Sequence, residues 1–562
     1  MARRYFLAIV LTILVIVGTP MLFPTAPKSV TTTLVDSTSV TQPAVGTPTV
    51  GTPTVGAPSG PIAGPTAAPA TMGTDSLISP VVAATVDTTV VQTPKAIYRF
   101  SDLGASLVSA EMVEYRALNR PGNVELAPPG APLLGYRLVV PGDTIPLAQT
   151  VFTATRSAGA GGAAVVRYDG TLRGRAASVP VTITYTFSPD SFLMRVAGTV
   201  GGVTGPAFLL VDLPSGIQSS EADSLEDQTH LAYAFKPEQS GAVGVPFSKL
   251  DPGERRFEEG PITWAAAKSK YFLVGVLTPE GSPAFSEMSI TGGARTAKLP
   301  STAHATLVRR VDGGSFGFEV YAGPQEWERL VALGRDFENS NPYGGWFQGV
   351  VQPFSTIVMR TLLWMHRTFD LSYGWVLVIF GVAVRIVLWP LNQNAMRSQM
   401  RTQRIQPEIQ AVQQRYKSDP PRAQAEIMKV YKEHGMSPFS PIAGCLPMLI
   451  PMPVFFALFF VFQNTIEFRG VPFLWLTDIS LKDPFYILPV VVAITAFALS
   501  WIGMRGMPPN PQTKIISYAI PAMMLFFFIN VASGLNLYYG VQNLASLPQQ
   551  WLIARERVKK AT

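Results

Sequence analysis

LSYGWVLVIFGVAVRIVLWP, Leu371 to Pro390, decides how the rest of the chain is read. A membrane span needs about 20 mainly apolar residues at a rise of about 1.5 Å each, and this stretch supplies them. It carries one charged side chain, Arg385. A guanidinium inside a span costs about 2.5 to 3.5 kcal/mol on insertion scales, so a retained one marks a polar function by default. Two readings stand at this point. If the helix runs from outside to inside, Arg385 lies about 7 to 8 Å from the cytoplasmic end, close enough to snorkel to the interface. Alternatively, it faces a polar cavity within the membrane.

Composition supports a membrane protein with a soluble part. Over 562 residues, 47% are hydrophobic and only 14% charged, with the apolar excess after residue 345. One cysteine, Cys445, excludes an intramolecular disulfide, and with four scattered histidines it excludes most Cys/His metal centres. No metal or cofactor is therefore expected. The net charge of +7 raises nucleic acid or anionic lipid as partners, but its placement matters more than its sum.

Upstream of the Arg385 span, Arg3 and Arg4 precede an apolar run to Phe23, the pattern of a signal peptide or an uncleaved anchor. Its length and the lack of a prompt A-x-A site favour a transmembrane anchor over 1–23, with the N-terminus cytoplasmic. Residues 24–94, rich in Thr, Val, Pro, Gly and Ala with GTPTV repeated at Gly46 and Gly51, read as an extended disordered linker. From 95 to 343 apolar residues alternate in short runs such as VTITYTF and FLMRVAGTV, separated by Gly, Pro and Asp. This predicts a large all-β sandwich outside the cytoplasm. Its acidic residues Glu221, Asp223, Glu226 and Asp227 and its histidines His230 and His304 form no catalytic spacing and read as solvated loops. Residues 344–370 are apolar but broken by Pro353, Arg360, His366 and Arg367, which predicts an interfacial amphipathic helix anchored by Trp346, Phe347 and Trp364.

Downstream, the span at 371–391 is followed by a basic segment at 392–440. Ile405, Ile409, Val412 and Tyr416, then Ala423, Ile427, Val430 and His434, repeat at helical spacing across the break at Ser418 to Pro421. That predicts a cytoplasmic helical hairpin. Its cations, including Arg397, Arg401, Arg404, Arg415 and Lys417, suit either a docking surface for ribosome, nascent chain or anionic lipid, or a loop that only sets topology. Further apolar runs at 445–466, 485–502, 514–529 and 535–553 lead to a basic cytoplasmic tail at 554–562. The Lys/Arg bias is consistent with six spans and both termini cytoplasmic.

The six runs hold no Asp, Glu or His, so Arg385 has no counter-ion there and no proton relay is available, which disfavours a pump. The span serines have no mid-membrane base, which disfavours a protease. The last run carries Tyr539, Gln542 or Asn543, Ser546, and Gln549 or Gln550 at steps of three to four, a polar helical face that belongs against water or protein. It fits a wet groove shared with Arg385, or polar glue between helices. Phe455, Phe456 and Phe459 with Met523 and Met524 fit either a surface for apolar clients or ordinary core filling.

Several blocks in order resemble the YidC-type membrane protein insertases: VRIVLWPLNQNAMRSQMR (Val384 to Arg401), IQPEIQAVQQRY (Ile405 to Tyr416), GCLPMLIPMPVFFALF (Gly444 to Phe459), DPFYILPV (Asp483 to Val490) and SGLNLYYGVQNL (Ser533 to Leu544). The anchor and the β domain, with YAGPQEWERL (Tyr321 to Leu330), resemble the Gram-negative form. The resemblance implies a multi-pass α-helical inner-membrane protein with a five-helix bundle and a periplasmic sugar-mutarotase-like β sandwich. A hydrophilic groove would open to the cytoplasm and lipid. Arg385 would be the groove arginine, and clients would slide along the third and fifth spans, alone or beside the Sec translocon. It implies no catalysis, no cofactor and no DNA partner. The C-terminal tail is too short to be a long ribosome-binding extension. The alternatives are a membrane-anchored carbohydrate-acting β domain and a transporter, the latter lacking the inverted repeats and coupling groups it would need.

Overall fold

The computed structural model describes residues 87–175, 178–295, 302–341, 348–435, 452–505 and 511–561. The expected anchor at 1–23, nearly all of the linker, Cys445 and the first part of the 445–466 span lie outside them.

Residues 88–324 form two antiparallel sheets around one core. Alternation builds them. Ala96–Ser101 and Ser178–Phe187 bury every second side chain, as a half-covered strand requires. The four-stranded sheet lays Phe100 against Tyr168, Tyr185 and Phe187 of the larger, fourteen-stranded sheet, with ring centroids 4.6 to 6.3 Å apart. The Tyr185 hydroxyl donates to the Ala105 carbonyl at 2.7 Å, so its polar end is satisfied inside the core. One boundary differs from expectation. Thr88–Gln92, within the stretch assigned to linker, is a strand paired to Ala96–Ser101, and it buries Thr89 and Val91. Its Thr/Val composition continues that of the linker, and only the pairing distinguishes it.

Two short helices, α1 (Ser224–Thr229) and α2 (Trp327–Ala332), belong to this β-rich region. Eight more follow: α3 (Gln348–Phe369), α4 (Tyr373–Arg404), α5 (Gln406–Arg415), α6 (Pro420–Glu433), α7 (Met452–Asn464), α8 (Ile487–Met504), α9 (Pro511–Phe528) and α10 (Ser533–Ala561). α3 packs on α4 and α7, α4 on α10, α10 on α8, and α8 on α9. Leu362, Leu377, Leu458, Val492, Phe528 and Leu535 lie in their common core. α3 is amphipathic as expected: it buries Val358, Met359, Leu362 and Leu363 and exposes Ile357 and Trp364, while Trp346 and Phe347 lie outside the described residues.

Among the described residues two helices are long and apolar enough to cross a membrane, Tyr373–Asn394 and Ile487–Met504, with mean hydropathies of 2.1 and 2.2. Met452–Asn464 and Ser517–Phe528 are shorter apolar helices. Two other boundaries shift. The Arg385 helix does not stop at residue 391 but runs on to Arg404, so the hairpin proper starts at Ile405. The tail expected at 554–562 is the continuation of α10, helical to Ala561. The hairpin itself forms, with Ile405, Ile409, Ile427, Val430 and Tyr431 clustered between α5 and α6. His434, expected on that apolar face, is exposed, and Tyr431 takes the core position.

The segment after α7 fastens the bundle to the β domain. Ile466 enters the β core, and the Arg469 guanidinium binds both Glu221 oxygens at 2.9 Å with both side chains buried. Arg469 also donates to the carbonyls of Arg116 and Ser220 at 3.0 and 3.3 Å. Glu221 and Asp227 are therefore not solvated loop residues. Their partners come from distant parts of the chain, 248 residues away for Glu221, which local reading cannot see. Burial holds the Glu221 carboxyl above its ordinary range despite Arg469, and it pushes His230 down to about 3, a neutral imidazole.

Candidate functional site

α4 and α10 approach closely where Gly381 faces Val541 and Tyr538; a Cβ at 381 would stand 3.3 and 3.4 Å from them. One turn further along α4, Arg385 donates from Nη2 to the Gln549 Oε1, and its Nε is buried without a hydrogen-bond partner. Gln549, 2% exposed, also donates from Nε2 to the Trp389 carbonyl at 3.2 Å. Among the described residues no carboxylate pairs with Arg385. A neutral amide thus orients a cation whose charge stays uncompensated and whose donors are only partly used.

The remaining polar groups of α10 divide by helical phase. Tyr538 and Gln542 share the face of Gln549. Gln542 donates to the Tyr538 hydroxyl at 2.9 Å, and the Tyr538 ring lies 6.0 Å from Phe380 of α4. Tyr539 turns away, its ring 5.3 Å from Phe455 of α7 and 5.1 Å from Phe528 of α9. Asn543 donates to the Thr495 hydroxyl at 3.1 Å and the Val492 carbonyl at 3.3 Å, bonding α10 to α8. Gln550 lies against Gly503 of α8, where a Cβ would meet its Nε2 at 2.7 Å. Ser546 returns its hydroxyl to the Gln542 carbonyl at 2.6 Å. Of the expected groove residues the structure therefore groups Arg385 with Gln542, and places Tyr539 and Asn543 on a different contact. Tyr538 joins the first group unforeseen. Its signal was available, because Tyr538, Gln542 and Gln549 fall within about 40° of one another at 100° per residue.

Of the aromatic and methionine residues, Phe456 and Met523 are 42% and 63% exposed, whereas Phe455, Phe459 and Met524 pack against the bundle core. Arg415 and Lys417 are exposed beside the α5–α6 turn. Arg397, Arg401 and Arg404 lie on the extension of α4, and their side chains fall outside the described residues.

Two family models match successive parts of the chain from residue 88 onward. One, described as the YidC periplasmic domain, covers residues 88–357, and the other, the 60Kd inner membrane protein, covers 364–561. Membrane protein insertase YidC of Chlorobaculum tepidum is 30% identical over 398 residues, 66% of this chain and 65% of that protein. The protein of the same name from an Anaeromyxobacter species is 31% identical over 305 residues, 53% and 52% of the two chains. The chain thus aligns with between about half and a little under two thirds of these relatives' own length. A crystal structure titled as an active YidC insertase with the first transmembrane domain resolved is 18% identical, covering 83% of this chain and 94% of that one, with a TM-score of 0.34. With both models in order along its length, one on the β-rich region and one on the helical C-terminal region, the chain belongs to the YidC family of inner-membrane proteins.

Proposed function

We propose that the chain is a membrane protein insertase and folding chaperone that moves small or nascent inner-membrane proteins into lipid, alone or beside a Sec translocon. The observation that carries this reading is Arg385, held by Gln549 without a carboxylate, on the same contact as Gln542 and Tyr538. A cation so placed keeps water within the bundle and attracts the acidic or polar tail of a client. An inside-negative potential of about 100 mV contributes roughly 2.3 kcal/mol per acidic charge carried outward. The apolar segment of the client follows along the exposed Phe456 and Met523 of α7 and α9, which are spans three and five in a six-span arrangement with both termini cytoplasmic. The β domain is periplasmic, 24–87 links it to an N-terminal anchor, and the α5–α6 hairpin offers Arg415 and Lys417 to nascent chain, ribosome or anionic lipid.

The test is accessibility. With Cys445→Ala as background, Arg385→Cys is expected to react with a membrane-impermeant thiol reagent added from the cytoplasmic side. A photoreactive residue at 456 or 523 is expected to crosslink to a ribosome-stalled small membrane protein. Protection of position 385 equal to that of the lipid-facing position 387, together with no adducts in an active complex, defeats the reading.

A further inference from the structure

The segment between α7 and α8 presents large apolar side chains on strained backbone. Phe473 and Leu476 close a tight turn with backbone hydrogen bonds of 3.0 and 2.9 Å, and Leu474 inside it has a φ of 54°, a left-handed conformation that usually goes to glycine. Leu474 is nevertheless 70% exposed. Tyr486 repeats the pattern with a φ of 57° just before α8, and both it and Phe485 are exposed. Buried Asp483 ties the two places together: it accepts from the Trp475 indole at 3.3 Å and from the Phe485 and Leu488 amides at 3.0 and 2.7 Å. The exposed side chains are therefore held outward by a fixed frame. Charge is nearly absent around them. Among the described residues from Gly470 to Tyr486 the charged ones are Asp478, Lys482 and Asp483, and both aspartates are buried. The turn lies against the first residues of α4. Phe473 covers Gly374, where a Cβ would strike its ring, and its ring centroid is 5.5 Å from that of Trp375. From the exposed Trp375, α4 continues with exposed Ile379, Val382 and Ile386; from the exposed Ile487, α8 continues with exposed Val490, Ile494 and Phe497. Steps of three and four residues make each set a stripe on one helix face. Both stripes start at this segment, on the two helices long and apolar enough to cross a membrane.

We propose that the α7–α8 segment is a membrane anchor that sets Leu474, Phe485 and Tyr486 into the outer leaflet of the bilayer. The occupant is lipid because the exposed surface is continuous with the two stripes, which a bilayer covers where α4 and α8 cross it. A turn that faces water exposes more charge and places glycine or asparagine at the left-handed position, where this one places leucine. The one exposed charge, Lys482, is a cation, as an interface lined by phosphates favours. Lipid contact gives the strained backbone a purpose, since it is the left-handed turn that points Leu474 outward. The consequence is a fixed height. The same segment carries Arg469, which clamps Glu221, so the anchor holds the β domain at a set distance from the leaflet beside α7. It rests on the membrane placement proposed above, which puts the first residues of α4 and α8 at the periplasmic surface.

Full-length protein carrying Cys445→Ala and Leu474→Cys, labelled with an environment-sensitive fluorophore and reconstituted in vesicles of phosphatidylethanolamine and phosphatidylglycerol, tests it. The emission is expected to shift to the blue and to be quenched by lipid spin-labelled near the top of its acyl chains. Phe485→Cys, which leaves the Leu474 turn untouched, is expected to behave alike. Phe257→Cys, at a position 68% exposed on the β domain, is expected to keep the emission of a label in water and to escape quenching. Water-like emission at both 474 and 485 overturns the anchor. A blue shift that spin-labelled lipid does not quench means that protein covers the segment, and it overturns the anchor as well. Client insertion measured in the same vesicles separates the two readings: quenching without insertion sinks the insertase alone, and insertion without quenching sinks the anchor alone.

Discussion

Gln549→Glu separates the two uses that the α4–α10 contact could have. The substitution keeps side-chain length and leaves an oxygen to accept from Arg385, so the shape of this buried position is preserved while the neutral acceptor becomes a carboxylate and the Nε2 donation to the Trp389 carbonyl is lost, a cost of about 1 kcal/mol. Two unit charges about 4 Å apart attract by about 4 kcal/mol at an effective dielectric of about 20. Desolvating the new carboxylate costs a comparable amount, so the net change in stability is small, on the order of 1 kcal/mol. The effect on a client is larger. An uncompensated Arg385 attracts a client carboxylate at about 7 Å by about 2.4 kcal/mol under the same dielectric, which is about 50-fold in occupancy. A carboxylate at 549 cancels most of that attraction. In proteoliposomes assayed by protease protection, Gln549→Glu is expected to slow insertion of a small client with an acidic translocated tail by tens of fold. The same client with a neutral tail should be nearly unaffected. Gln549→Leu is the control: it removes the acceptor, lowers stability by about 1.5 to 3 kcal/mol, and keeps the preference for acidic tails. If Gln549→Glu inserts both clients in the wild-type ratio, the charge on Arg385 does no electrostatic work on clients and the contact is only helix glue.

Three further outcomes follow from the joint between the β domain and the bundle and from the α7–α10 contact within the bundle. Burial beside Glu326 and Glu328 pushes Glu467 up from 4.5 to about 7. Its ionised form is thus disfavoured in the folded state: the penalty is absent below about pH 4.5, grows as pH rises to about 7, and is then constant at no more than about 3 kcal/mol. Glu467→Gln should therefore raise thermal stability at pH 7.5 but not at pH 4, and an equal shift at both values contradicts the assignment. Arg469→Ala leaves Glu221 buried and unpaired and should destabilise by about 3 to 5 kcal/mol, with Glu221→Leu and Arg469→Met together recovering most of it; a double variant as unstable as Arg469→Ala refutes the charge argument. Gly534→Ala places a Cβ 2.4 Å from Phe462 and 3.1 Å from the Ile479 carbonyl, so it should lower the melting temperature through about 1 to 3 kcal/mol of overpacking, and an unchanged melting curve would show that α7 yields freely there.

Much of this architecture follows from periodicity that a single chain displays. The two-residue repeat in VTITYTF produces the alternating burial of Ser178–Phe187, and the three-to-four-residue repeat in Ile405 to Val430 produces the hairpin core. Local patterns end where pairing begins. TTVVQ differs little from the preceding linker until Ala96–Ser101 lies beside it, and Glu221 looks like a loop carboxylate until Arg469 arrives from the other domain. Pro390 likewise reads as a span boundary, yet α4 continues through it, because one lost backbone hydrogen bond does not outweigh the packing of α4 on α10.

The division of α10 into two polar faces also bears on the proposal that Arg385 lines a groove and is not a simple snorkel. A snorkelling arginine extends toward the interface and needs no partner on another helix. Arg385 is instead drawn toward α10 by Gln549, whose second bond to the Trp389 carbonyl, on Arg385's own helix, locks the amide in place. Asn543 and Gln550 hold α10 to α8 from the other side, so the helix that presents Gln549 is braced against rotation. A rotation of α10 by one residue, about 100°, would carry Gln549 away and leave Arg385 facing Gln550, with Tyr539 in the place of Tyr538. Helix glue on one face thus fixes the orientation of the polar groups on the other. Loss of Asn543 is accordingly expected to disturb the Arg385 site without touching it: Asn543→Leu should alter thiol reactivity at position 385 even though residue 543 bonds only α8 among its described partners. Unchanged reactivity would mean that Gln549 alone determines where the arginine points.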